Sequence, residues 1–87
     1  MITKTVTVTI LVEVTVDETK FDDAFMADFR KQMYHFTSLD RHIEHLGQMH
    51  ARGLYNDEDF IEGYGQAKEM GIKFNELRVE SAKVTYT

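Results

Sequence analysis

Cysteine is absent from this chain of 87 residues, and that single absence removes disulfide scaffolds, thiolate metal sites and cysteine nucleophiles together. Proline is absent too, so no Pro-rich linker divides the chain. With no internal repeat or low-complexity run either, residues 1–87 read as one small domain. Long apolar runs are also missing. The most apolar stretch, Val6 to Val16, is interrupted by Thr and Glu, and no basic segment precedes a continuous apolar one, so neither a signal peptide nor a membrane span is expected. Basic charge is scarce: ten Lys and Arg stand against fifteen Asp and Glu, a formal net charge of −5. That balance removes the attraction to phosphates on which direct DNA or RNA binding depends. Together these features point to a cytoplasmic protein that touches neither membrane nor nucleic acid.

What the chain does contain is a strand signal of unusual regularity. From Thr5 to Val16 the even positions are Val or Ile and the odd ones are mostly Thr, the pattern of a strand with one apolar face. Such a length predicts a strand that bends or runs past its partner. Phe21, Phe25, Phe29 and Met33 then recur every four residues, predicting a helix over about 18–33 capped by Asp17 or Thr19. Thr37 with Asp40 resembles a capping box for a second helix, whose inner stripe is Leu39, His42, Ile43, Leu46 and His50 and which Gly53 closes. Two nearby glycines make residues 59–65 a short strand and turn. Gln66 to Met70 forms one helical turn, and alternation resumes through Ile72, Phe74, Leu77, Val79, Val84 and Tyr86, slipping near Asn75–Glu76 and Ser81–Ala82 as β-bulges do. The fold class is therefore α+β: a small antiparallel or mixed sheet, built from a long N-terminal strand and C-terminal strands, with two helices packed on one face.

Few residues carry a chemical signature. His42, His45 and His50 share one predicted helix, and the first two have a spacing that can present imidazoles to one metal, yet no second motif supplies a third ligand. No metal and no cofactor is therefore assigned, and a small metal-dependent protein or enzyme using these histidines is the alternative. Gly63-Tyr64-Gly65 lacks the Lys of a phosphate loop and lies among carboxylates, so it reads as a turn. No hydrolase or metalloprotease signature is present, and no catalytic residue is assigned. The remaining candidate is an interaction surface. Tyr55 and Tyr64 stand in sequence beside Asp57, Glu58, Asp59 and Glu62, and Asp22 with Asp23 belongs to a second acidic cluster. Tyrosines with fixed acidic neighbours suit a basic protein groove.

Phe25-Met26 with Phe29-Arg30, then Phe60-Ile61-Glu62-Gly63-Tyr64-Gly65 and Met70-Gly71-Ile72, resemble small proteins carried by bacteriophages and prophages, among which the anti-CRISPR proteins have this size and acidity. The resemblance implies a non-catalytic inhibitor in the host bacterial cytosol whose partner is a Cas protein or complex, acting as a monomer or homodimer. It carries no site residues over to this chain. A self-associating structural phage protein is the other reading of the same resemblance.

Overall fold

The computed structural model describes residues 1–85, and the expected strand position Tyr86 lies outside them. In chain order the elements are β1 (Thr5–Thr15), a 3₁₀ turn (Glu18–Lys20), α1 (Asp23–Gln32), α2 (Leu39–Ala51), β2 (Phe60–Ile61), β3 (Gly65–Gln66) and β4 (Lys73–Thr85). The expected α+β class is present, divided into two antiparallel two-stranded sheets, β1–β4 and β2–β3.

Local chemistry sets the boundaries. The expected first helix is split because two aspartates compete to start it. Asp17 accepts from the Thr19 backbone N–H at 3.0 Å and from its hydroxyl at 2.6 Å, which closes only the 3₁₀ turn. Asp22 accepts from Phe25 N–H at 2.9 Å and caps α1. The second helix is capped one residue later than expected: Ser38 receives the Arg41 N–H at 3.4 Å, while Arg52 ends α2 and Gly53 follows it at φ 78°. The glycine pair forms the β2–β3 hairpin, with Gly63 at φ 90°. A Cβ there would sit 2.8 Å from a Phe29 ring carbon, so glycine lets the hairpin close directly onto α1.

The core is formed by Phe21, Phe29, Leu46, Ile61, Tyr64, Ala67 and Ile72, with His42 buried among them. Phe29 of α1 meets the His42 ring of α2 edge-on at 4.6 Å and the Tyr64 ring at 4.9 Å. This joins both helices to the small hairpin. Val14, Val16 and Phe74 pack against that cluster from the long ribbon.

The valine face of β1 enters the core only at its C-terminal end. Val12 and Val14 are half-buried, whereas Val6 and Val8 are exposed. The rest of the ribbon projects as an arm, giving a molecule of 52 × 24 × 20 Å with a radius of gyration of 15.6 Å. A compact chain of this length would have a radius near ~12 Å. In the ladder Thr9 faces Ser81 but Ile10 faces Val79, and Leu11 faces Arg78 but Val12 faces Glu76. Glu80 and Leu77 are thus left over as bulges on β4, while β1 runs unbroken.

Candidate functional site

Beside the buried cluster, the link between the helices brings aromatic rings to the surface. Tyr34 and Phe36 lie two residues apart in it, and their rings stack at 5.5 Å and 25°. His45 of α2 approaches both, at 5.2 and 5.4 Å, and Tyr55 reaches His45 edge-on at 6.2 Å. Tyr34 is 49% exposed, and Phe36, His45 and Tyr55 are half-buried. Arg41 lies over the Phe36 ring, 5.9 Å from its centroid, and pairs with exposed Glu44 at 3.6 Å. Loss of water raises the Tyr55 phenol above its usual range, and neighbouring Tyr34 and Glu62 add to that effect. Burial lowers the His45 imidazole. The result is a contiguous aromatic patch with Arg41, Glu44 and Glu62 at its rim.

Sequence reasoning placed only Tyr55 and Glu62 in this patch. The missed members are Tyr34, Phe36 and His45; the first two are brought side by side by a tight turn in which Phe36 N–H donates to the Tyr34 carbonyl at 2.9 Å, which no residue spacing signals.

The other expected surface residues separate. Tyr64 is a correction: it is buried, and its hydroxyl lies 2.9 Å from His42 Nδ1. Burial, then the nearby Tyr55 and Tyr34, pushes its phenol far above the normal tyrosine range. Asp57 accepts from Phe74 N–H at 2.8 Å and Asp59 from Asn56 N–H at 3.0 Å, so both fasten their loop. Asp57 and Glu58 share a recess with Lys68 and Lys73. Glu58 and Glu62 stay exposed. Asp22 is committed to its cap, and Asp23 lines a recess with Arg30, Thr37 and Ser38.

The three helix histidines have separate surroundings. His42 is fully buried. Its Nδ1 lies 2.9 Å from the Tyr64 hydroxyl, and its buried Nε2 has no hydrogen-bond partner among the described residues. The Phe29 and Phe36 rings pack against the imidazole at 74° and 90° to its plane. Burial, with smaller repulsions from His45 and Arg30, holds the His42 pKa below the usual imidazole value. His50 stacks on Phe74 at 4.5 Å and 7°, and its Nδ1 lies 2.7 Å from the Tyr55 carbonyl oxygen, to which it donates. Among the described residues no three His, Asp or Glu side chains gather where a metal ion could be held. A groove of about 380 Å³ between β1 and α2 is lined mainly by Ile10, Val12, Val14, Ile43 and Ala51, with Glu44 its sole ionisable group.

Among the described residues no helix is long and apolar enough to cross a membrane. Compared with models of protein families, with curated proteins and with solved structures, the chain has no match.

Proposed function

We propose that the protein is a non-catalytic binding module that docks a basic protein surface with the Tyr34–Phe36–His45–Tyr55 patch. The observation that supports this reading is the patch itself. Tyrosines held by neighbouring rings lose little freedom on binding, and exposed Glu62 at the rim, beside a Glu44 already paired with Arg41, favours a Lys- and Arg-rich partner. Between residues 16 and 72 the chain carries twelve acidic and six basic side chains, so the patch belongs to an acidic body. The partner class that suits such a body is a groove built to hold nucleic acid. Occupying that groove inhibits the complex that owns it, and inhibition of a Cas complex, as in anti-CRISPR proteins, is one form of that activity.

The test uses tagged protein incubated with bacterial lysate containing active CRISPR effectors, with retained proteins identified by mass spectrometry. Wild type is expected to retain a nucleic-acid-handling subunit, and Tyr34→Ala with Glu62→Lys to lower its recovery at least ~10-fold. Both positions are exposed, and an unchanged circular dichroism spectrum checks that the variant keeps its fold. Retention should also weaken as salt screens the rim. Equal recovery by wild type and variant, or recovery of the bait alone, would contradict the proposal.

A further inference from the structure

The arm raises a question separate from the patch, because a two-stranded ribbon alone is marginally stable in water and this one extends past its core with Val6 and Val8 about half exposed, at 51% and 50%. Its two edges differ. The β4 edge is interrupted by bulges at Leu77 and Glu80, and its sequence carries Glu76, Arg78, Glu80 and Lys83. Bulges and charges are the devices that keep sheet edges from pairing. The β1 edge has neither: it is continuous in register, and no charged residue occurs from Thr5 to Val12. Among the described residues, β4 is its one strand neighbour.

We propose that the β1 edge pairs antiparallel with β1 of a second copy, joining two ribbons into a four-stranded sheet. The sequence selects this occupant. Thr5-Val6-Thr7-Val8-Thr9 reads the same in both directions. With a two-fold axis through Thr7, that residue faces its own counterpart, Val6 faces Val8 of the second copy and Thr5 faces Thr9. Each cross-strand pair then joins like residues, Thr with Thr and Val with Val, which are favourable combinations. A two-fold interface requires such self-complementarity, whereas a foreign strand would match it only by chance. The side-chain period places both valine faces on one side of the joined sheet.

Charge distribution agrees. The ribbon and the residues flanking its ends carry Lys4, Lys73, Arg78 and Lys83 against Glu13, Glu76 and Glu80, so they are close to neutral, and the net negative charge lies in the body. Antiparallel pairing sends the two acidic bodies to opposite ends, where solvent ions screen their repulsion. Five residues a side make a narrow interface of the weak class, well under about 1,200 Å², so association weaker than about micromolar is expected.

Because the chain contains no cysteine, single cysteines read the register directly. Sedimentation equilibrium from about 10 µM to 1 mM, the span for a weak interface, should show the mass rising from 10.2 kDa towards twice that value. Under mild oxidation Thr7→Cys should crosslink two copies and Thr5→Cys should not, since position 5 faces position 9. Thr7→Lys sets two ammonium groups opposite each other and should weaken association at least ~10-fold, whereas Asn75→Lys on β4 should leave it unchanged. Circular dichroism should report the same folded spectrum for every variant. A wild-type mass fixed at 10.2 kDa throughout would overturn the proposal, as would equal crosslinking at positions 5 and 7 or a Thr7→Lys dimer as tight as wild type.

Discussion

Phe29 and Val8 are both apolar residues on regular elements, yet Phe29 is 3% exposed and Val8 is 50% exposed. The contrast belongs to two regions. In the body, helices and hairpin surround a shared set of rings, so each apolar side chain finds partners from several elements. On the arm, two strands meet only each other, and a ribbon has no second layer to cover its face. The lesson is that apolar alternation specifies a face, while burial requires another element to be placed over it.

The largest test of this contrast removes a ring from the body. Phe29→Ala takes away the side chain that contacts His42, Tyr64, Phe25 and Phe36 and should cost about 3–5 kcal/mol, enough to unfold much of a small domain. Denaturant titration measures it, and a loss below about 1 kcal/mol would mean the ring cluster does not hold the body together.

A middle-sized effect concerns acid. His42 and His45 have folded-state pKa values below the ordinary 6.5, burial being the main cause. The unfolded chain therefore binds more protons as pH falls through that value. Stability is fully present above about pH 6.5, declines as pH drops below it, and levels off below the folded-state pKa values. Thermal unfolding at pH 7.5 and 5.5 should show the loss, and His42→Asn, which keeps a polar partner for Tyr64, should reduce it. An unchanged pH dependence in that variant would remove His42 as its source.

The smallest effect belongs to the arm. Val8→Thr keeps β-branching at an exposed site and should change the stability of the monomer by no more than about 0.5 kcal/mol. A loss comparable to that of Phe29→Ala would erase the distinction between the regions.

Much of this fold was legible because its signals are local. The alternation of β1, the four-residue spacing of Phe21, Phe25 and Phe29, and the glycines of the β2–β3 turn each predict their element from neighbouring residues alone. The cap positions were misjudged by one to a few residues, since Asp17 and Asp22, or Thr37 and Ser38, are chemically equivalent candidates and only backbone geometry chooses between them. The site was less legible. Tyr64 looks like a surface residue beside Glu62, but its burial depends on His42, 22 positions away, offering a ring nitrogen to its hydroxyl. Likewise the patch of Tyr34, Phe36, His45 and Tyr55 exists only once α2 and the loop after it are docked.

Amide hydrogen exchange, followed residue by residue at low and high protein concentration, tests the division between body and arm most directly. Amides of α2 around Ile43 and Leu46 should be strongly protected at both concentrations, while those of β1 from Val6 to Leu11 should exchange quickly when dilute and slow markedly when concentrated, as a second copy covers their edge. Equal protection of β1 and α2 at low concentration, unchanged by concentration, would contradict both the marginal stability of the arm and its pairing.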